Sequence, residues 1–224
     1  MKITIVYDNE TLREDLKEGH GFSCLVEAEK NILFDTGWVG HDLEYNMKSL
    51  GYKISDLDVV ILSHNHWDHI GGLPHVLSQG SNLEVYTPTS FSDHMKDEIK
   101  KNHNLHEVTG PQRISGSVYT SGELEGRYKQ DTLMEQNIIL KTSKGPLAIV
   151  GCSHQGVRKV LDTAADHGRV FGLIGGLHDF GEYELLAGLD LIVPTHCTQH
   201  RLEIRERYPS ATQEGGVGWT IDIE

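Results

Sequence analysis

One stretch of the sequence decides how the chain folds and where its chemistry lies. It reads Asp58-Val59-Val60-Ile61-Leu62-Ser63-His64-Asn65-His66-Trp67-Asp68-His69-Ile70-Gly71-Gly72. The run 58–62 is almost entirely apolar, which is typical of a strand buried on both faces of a sheet. Imidazole and carboxylate groups, which are common ligands of zinc and related divalent ions, follow directly after that run. The stretch therefore predicts a metal site on a loop that leaves a buried strand, with the two glycines allowing a tight turn below it.

Three later histidines repeat this arrangement, because each of them follows an apolar strand. They are His154, His178 and His196, which follow predicted strands near 146–151, 170–174 and 190–193. Side chains at the ends of several strands are how a rigid scaffold presents a site on one rim. We therefore expect these histidines to lie close to the motif at 64–69.

The rest of the chain alternates between strand and helix patterns. Further strands are predicted near 2–8, 22–28, 31–35, 83–87, 114–120, 136–142 and 217–223. Helices are predicted near 41–51, 73–79, 92–102, 155–167, 183–187 and 198–207. Because strands dominate both halves and helices come late in each, we expect two packed sheets with helices outside. The length predicts one domain over 1–224, with 88–135 as a variable rim or lid region.

Composition limits the partners of this chain. Its 224 residues include 20 Lys plus Arg and 33 Asp plus Glu, a net charge of −13. That balance argues against binding to nucleic acid or to an anionic membrane, both of which require clustered basic charge. No apolar run approaches the roughly 18 residues of a membrane span. The N-terminus lacks a signal-peptide pattern, and the 3 cysteines cannot form a fully paired disulfide framework, so we expect a cytoplasmic protein.

The motif His64-x-His66-x-Asp68-His69, with His154 and His196 downstream, resembles the metallo-β-lactamase superfamily. The first motif of that superfamily, an Asp after an early strand, is matched by Phe34-Asp35-Thr36-Gly37. Within it, the chain is most similar to the branch of the dihydropterin-linked ribofuranosylaminobenzene 5'-phosphate synthases of methanopterin biosynthesis. The shared stretches are Gly21-Phe22-Ser23, Asn46–Gly51, Glu135-Gln136, Gly151–His154, Gly175–His178 and Pro194–Thr198. The resemblance implies a mixed α/β (α+β) fold, a four-layer αββα sandwich.

The resemblance also implies a ligand set. One ion would be held by His64, His66 and His154, and a second ion by Asp68, His69 and His196. Many superfamily members bridge the two ions with an Asp of the fourth motif, for which Asp179 is the candidate. The related branch has His at the position of His178, and we expect this residue to lie nearest the ions. Asp35 would accept the N–H of a ligand histidine and fix its tautomer.

We predict a metal-dependent hydrolase that uses a metal-activated hydroxide on a small ester, lactone, thioester or phosphoester, with Asp68 and His178 as catalytic residues. The cofactor would be one or two divalent ions, with Zn²⁺ expected first and Mn, Fe or Ni as alternatives. The branch suggests a transferase of pterin biosynthesis instead, and a non-catalytic metal-binding paralogue is the third reading. Diiron members typically carry Glu where this chain has His66, so the sequence favours zinc-like chemistry over dioxygen chemistry.

The sequence leaves more than one role open for two cysteines and for six cationic residues. Cys152 and Cys197 lie beside proposed ligands, and we interpret them as small buried apolar groups although thiolates bind zinc well. Six cationic residues of the middle region are candidates for binding a substrate phosphate, namely Lys96, Lys100, Lys101, Arg113, Arg127 and Lys129. The sequence does not choose among these six, and it leaves the substrate and the oligomeric state open.

Overall fold

The computed structural model describes residues 1–223. Its strands are β1 Lys2–Tyr7, β2 Ser23–Glu27, β3 Asn31–Phe34, β4 Val59–Ile61, β5 Glu84–Pro88, β6 Asn104–Val108, β7 Gln112–Ser115, β8 Val118–Thr120, β9 Leu124–Tyr128, β10 Asp131–Glu135, β11 Ile138–Thr142, β12 Gly145–Val150, β13 Gly172–Gly176, β14 Leu191–Thr195 and β15 Thr220–Asp222. Its α-helices are α1 Gly40–Ser49, α2 Trp67–Ile70, α3 Leu73–Gln79, α4 Asp93–Lys100, α5 Val157–Ala165 and α6 Arg201–Arg207. Short 3-10 helices span Ile54–Asp56 and Tyr183–Leu186. None of the helices in this range is long and apolar enough to cross a membrane.

The first sheet has seven strands in the order β15-β1-β2-β3-β4-β5-β6. From β3 to β6 the strands are parallel, with Phe34 opposite Ile61 and Ile61 opposite Tyr86. Parallel neighbours need crossover connections, which here contain α1, then α2 with α3, and then α4. The carboxyl ends of β3 and β4 therefore lie at the same edge of this sheet.

The second sheet has six strands in the order β14-β13-β12-β11-β8-β7. Strands β12, β13 and β14 are parallel, with Val150 opposite Gly175 and Gly175 opposite Pro194. Between β8 and β11 the chain forms a separate two-stranded hairpin of β9 and β10. The region 88–135 thus contributes edge strands to both sheets as well as this hairpin.

Buried apolar side chains form three layers. The central layer lies between the sheets and includes Ile5 and Phe34 from the first and Ile138 and Ile149 from the second. The second layer joins the outer face of the first sheet to α1, α3 and α4. The third layer joins the outer face of the second sheet to α5 and α6. This arrangement is the predicted αββα sandwich.

Most predicted elements correspond to observed ones. The differences lie at 67–70, at β6, at the β9–β10 hairpin and at 114–120, where the one predicted strand is the pair β7 and β8. Residues 67–70 form the helix α2, where we predicted a loop, so Asp68 and His69 begin on a helical turn. Strand β6 and the β9–β10 hairpin were not predicted, because their sequences alternate too few apolar residues to show a strand pattern. Strand β6 is the edge strand of the first sheet, and the β9–β10 hairpin belongs to neither large sheet, so these strands bury little apolar surface.

Gly71 and Gly72 do not form the predicted tight turn, and instead allow a close contact between two backbone segments. Both have helical backbone angles, with φ values of −61° and −77°. A Cβ at Gly71 would lie 2.4 Å from the carbonyl oxygen of Trp38, and one at Gly72 would lie 2.3 Å from that of Thr36. These glycines therefore let the backbone after Asp35 approach the motif closely.

Candidate metal centre

The predicted site residues meet where the two sheets end. His64 follows β4 of the first sheet, whereas His154, His178 and His196 follow β12, β13 and β14 of the second. The carboxyl ends of parallel strands lie at one edge, which is where open α/β sheets usually place their sites. The ring centroids of His64 and His154, from different sheets, are 5.1 Å apart. The centre therefore spans both halves of the chain.

His64, His66 and His154 form the first cluster of possible ligands. One ring nitrogen from each lies within 4.8 Å of the others, and Nε2 of His64 is 3.0 Å from Nδ1 of His66. Nε2 of His154 is buried and has no hydrogen-bond partner in the described part of the chain. A buried polar atom without a partner is costly, so this nitrogen is suited to binding a group from outside the chain.

Asp68 and His196 form a second cluster, which also includes His20. Oδ2 of Asp68 lies 3.2 Å from Nε2 of His196, 3.3 Å from Nε2 of His20 and 3.9 Å from Nε2 of His69. Nδ1 of His196 donates to Oδ1 of Asn9 at 2.9 Å, which directs Nε2 towards Asp68. Sequence reasoning missed His20 and Asn9, because they come from the irregular segment between β1 and β2 and belong to no motif.

Asp35 fixes the orientation of two of the histidines. Its Oδ2 accepts from Nδ1 of His69 and from the hydroxyl of Ser63, both at 2.7 Å, and its Oδ1 accepts from the Ser63 amide. Because the Ser63 hydroxyl donates to Asp35, its oxygen accepts from Nδ1 of His64 at 2.8 Å. Nε2 of His64 is therefore free of the proton, and Nε2 of both histidines faces the centre.

Backbone strain is concentrated at this edge. Asp35, Ser153, His178 and His196 have φ values of 57°, 60°, 49° and 48°, in the left-handed region that residues other than glycine rarely adopt. Each of them follows the carboxyl end of a strand. Such strain persists where surrounding structure enforces it, and it clusters at functional sites.

Most imidazoles of the centre are held in the neutral form. Burial, with the neighbouring histidines, keeps the pKa of His64 well below its usual range and lowers the pKa of His154 to about 3. Burial lowers the pKa of His196 to about 4. For His69, burial is outweighed by the Asp35 carboxylate, which raises the pKa to about 9. Neutral imidazole is the form that binds metal ions, so His64, His154 and His196 fit that role without deprotonation.

His178 and Asp179 point in different directions. The ring centroid of His178 is 4.8 Å from that of His154, and Nδ1 of His178 is buried without a hydrogen-bond partner in the described range. The side chain of Asp179 is 75% exposed and accepts from Nε2 of His200 at 2.9 Å. Among residues 1–223, neither side chain belongs to a group of three or more possible ligands whose donor atoms lie within 4.8 Å of one another. His178 is nevertheless the one that lies beside the centre.

Glu135 fixes the loop that carries His154. Its fully buried carboxylate accepts hydrogen bonds from the backbone amides of Cys152, Ser153 and His154, at 2.9, 3.0 and 2.8 Å. Burial raises the pKa of Glu135, while these three donors oppose the rise. Glu135 lies in a stretch shared with the pterin-linked synthase branch, but the sequence predicts no role for it. A carboxylate that binds backbone amides leaves no recognisable sequence motif.

The thiol groups also lie in the centre. Sγ of Cys152 is 3.2 Å from Nε2 of His69 and 3.3 Å from Sγ of Cys197. Both cysteines are free. The interpretation of these cysteines as packing residues remains a prediction, because their sulfur atoms are close enough to the histidines to contact a bound ion.

The family model of the metallo-beta-lactamase superfamily matches residues 16–163. The chain belongs to this superfamily, whose fold implies binding of divalent metal ions. A solved structure described as Tm1679, a metal-dependent hydrolase of the beta-lactamase superfamily, has the same fold, with a TM-score of 0.80 and 23% identity over 99% of this chain and 98% of that chain.

Two curated relatives come from Methanocaldococcus jannaschii. The 7,8-dihydropterin-6-methyl-4-(beta-D-ribofuranosyl)-aminobenzene-5'-phosphate synthase is 26% identical in an alignment of 242 positions that covers 82% of this chain and 82% of the relative. An uncharacterised protein is 26% identical in an alignment of 259 positions that covers 99% of this chain and 100% of the relative. The predicted similarity to the pterin-linked synthase branch is therefore confirmed.

Proposed function

We propose that this protein binds one or two divalent ions at the centre and hydrolyses a small ester, lactone, thioester or phosphoester. The observation that carries this proposal is the convergence of the two ligand clusters from both sheets, with the buried Nε2 of His154 left without a partner in the described range. Packing alone gives no reason to bring several imidazoles and a carboxylate together in this way. The acidic net charge of −13 favours a small-molecule substrate over nucleic acid.

The first ion would be held by His64, His66 and His154, and the second by Asp68, His69 and His196. Three imidazoles suit zinc, and the same donors also accept manganese, iron or nickel. The second group contains one carboxylate, which lies beside several imidazoles. We expect zinc in the first position and weaker binding in the second.

When bound, such ions supply an acidified water molecule and a positive charge for the carbonyl or phosphoryl oxygen of the substrate. Burial opposes ionisation of Asp68, but the contact with His196 and the charge of His69 outweigh it and lower the pKa of the carboxyl group. Asp68 therefore stays ionised and can accept a hydrogen bond from the nucleophile. His178, beside His154 at the rim, can donate to the substrate or to the leaving group.

A transferase reaction is the second candidate, and the named synthase among the relatives favours it. In that reaction the same centre would activate one partner while a pterin-like electrophile joins an arylamine. The two candidates differ in the group that attacks, water or an amine. A product analysis with an arylamine added to the assay distinguishes them.

The test is metal analysis of the purified protein, followed by assays of phosphoester, lactone and thioester substrates with and without chelator. His66→Ala should lose metal and activity while keeping the circular dichroism spectrum of the wild type. The matched control is His94→Ala, which removes an exposed histidine of α4 outside both clusters. Absence of stoichiometric metal after reconstitution, or equal activity in the two variants, would contradict the proposal.

A further inference from the structure

The structure separates the six cationic residues that the sequence leaves as equal candidates for binding an anion. Lys96 and Lys101 are each paired with a glutamate at 2.6 Å, and Arg113 donates to a backbone carbonyl at 2.7 Å. Lys100 is exposed at the end of α4 and belongs to neither ligand cluster. Arg127 and Lys129 lie on the β9–β10 hairpin and, among residues 1–223, form no ion pair with a carboxylate. Their charge is therefore available to a ligand.

The hairpin is docked directly on the backbone of the centre. The Arg127 amide donates to the carbonyl oxygen of His154 at 3.2 Å. A Cβ at Gly126 would lie 2.4 Å from the amide nitrogen of Gln155 and from the carbonyl carbon of His154, so only glycine allows this contact. On the opposite side, Nζ of Lys159 donates to the carbonyl oxygen of Glu125 at 2.7 Å. The position of the hairpin is thus fixed relative to the proposed ligands.

Tyr128, at the end of β9, packs its ring against three histidines of the centre. Its ring centroid is 4.6 Å from that of His66, 5.4 Å from that of His154 and 6.2 Å from that of His178. Nζ of Lys129 lies 5.1 Å from the centre of the Tyr128 ring. The ammonium group therefore lies over the aromatic ring that contacts His66 of the first ligand cluster.

Arg127 borders a cavity of about 420 Å³ that His154 and His178 also line. Two acidic residues also line this cavity, and each has a partner: Asp179 accepts a hydrogen bond from His200, and Glu182 forms an ion pair with Arg158. Arg127 also lines this cavity, and its guanidinium group forms no ion pair with a carboxylate in the described range. An anion that enters the cavity therefore meets a positive charge that no carboxylate of the described range pairs with.

We propose that Arg127 and Lys129 bind an anionic group of the substrate, a phosphate monoester or a carboxylate, so that the reactive part lies against Tyr128 and the ligand histidines. This inference rests on the proposed function and names the class of substrate. A guanidinium binds two oxygens of a phosphate or carboxylate at once, and an ammonium adds a point charge. In a chain with a net charge of −13, this local pair selects for anions that the rest of the surface repels.

The test compares the metal-loaded wild type with the double variant Arg127→Ala/Lys129→Ala. The probes are phenyl phosphate and benzoate, and their binding is measured by titration calorimetry. Because both proteins contain the metal ions, any binding of a probe to the metal contributes equally to both measurements. We expect the double variant to bind at least one probe tenfold or more weakly, with metal content unchanged. The conservative variant Arg127→Lys/Lys129→Arg should retain most of the affinity. The matched control is Lys144→Ala, which removes a lysine at the β11–β12 turn that also lies over an aromatic ring, Phe171, at 5.3 Å.

The kinetic arm uses a neutral ester and an anionic ester of the same alcohol. The double variant should keep kcat for both and raise KM for the anionic ester alone. Equal affinity for both probes in the wild type and the double variant would overturn the inference. A tenfold loss of probe affinity in a protein that hydrolyses neither ester supports the anion site while refuting the hydrolase proposal, so the two failures are distinguishable.

Discussion

Two buried carboxylates hold the imidazoles of the centre in place, one from each half of the chain. Asp35 binds His69 directly and His64 through the Ser63 hydroxyl, whereas Glu135 binds the backbone amides that lead to His154. A buried carboxylate is stable only when its oxygens accept several hydrogen bonds, and both of these do. The precision of the cluster therefore depends on residues that would contact no ion themselves.

Replacement of Asp35 tests this dependence. Asp35→Asn keeps the volume of the side chain but replaces one acceptor oxygen with an NH2 donor. Either the Ser63 amide loses its partner, or His69 and the Ser63 hydroxyl both lose theirs. We expect metal affinity to fall by about 10- to 100-fold, the usual effect of losing a residue that orients a ligand histidine. Competition with a chromophoric chelator measures the change. Asp166→Asn, an exposed position at the end of α5, should leave affinity unchanged. An unchanged affinity for Asp35→Asn would show that His69 does not need this contact.

The fourth motif gives a second prediction for single residues. His178→Ala should lower activity and occupancy of the second ion, because His178 occupies the fourth-motif position that bridges the two ions in many superfamily members and its buried Nδ1 lacks a partner in the described chain. Asp179→Ala should do much less, since it removes an exposed pairing with His200. Metal titration of both variants provides the measurement. The reverse ranking would identify Asp179 as the bridging ligand.

At the scale of elements, what the sequence predicts depends on how far each element relies on apolar residues. The buried strands that precede His64, His154 and His196 are nearly continuous apolar runs, so the pattern reveals them and the histidines that follow. The β9–β10 hairpin contains few apolar residues and gains its position from backbone contacts with His154. For this reason Tyr128 could not be placed near the centre from sequence alone.

The hairpin contact can be tested at Gly126. Gly126→Ala places a Cβ where the backbone of residues 154–155 already lies, so the hairpin must shift away. We expect a loss of about 1–3 kcal/mol in stability, the usual cost of overpacking a tight contact, and faster proteolysis within 124–135. Thermal unfolding and limited digestion measure the two effects. Gly110→Ala, whose Cβ would meet nothing within 4 Å, serves as the control and should behave as the wild type. Equal digestion rates for both variants would mean that the hairpin is not held by this contact.

At the scale of the whole molecule, the fold and the centre are built from different kinds of interaction. The αββα arrangement follows from the apolar pattern, because the three buried layers contain the side chains that the sequence shows as strand and helix faces. The second ligand cluster includes His20, which the fold brings in from an irregular segment that no pattern marks. Long-range placement of such a segment depends on packing of the whole sandwich, which local sequence does not encode.

Because the three layers do not depend on the proposed ligands, removal of metal should leave the protein folded. Burial of one large aliphatic side chain contributes roughly 1.5–3 kcal/mol, and the central layer alone unites many such side chains from both sheets. An ion that binds only the native state still adds stability, about 4.1 kcal/mol at a free concentration 1,000 times its Kd. For a domain of this size, that gain corresponds to a rise in Tm of roughly 10 °C. We therefore expect the chelated protein to keep its circular dichroism spectrum and unfold cooperatively, at a Tm that recovers when zinc is returned. An unfolded apo-protein would mean that the ion serves folding, and the catalytic proposal would lose its main support.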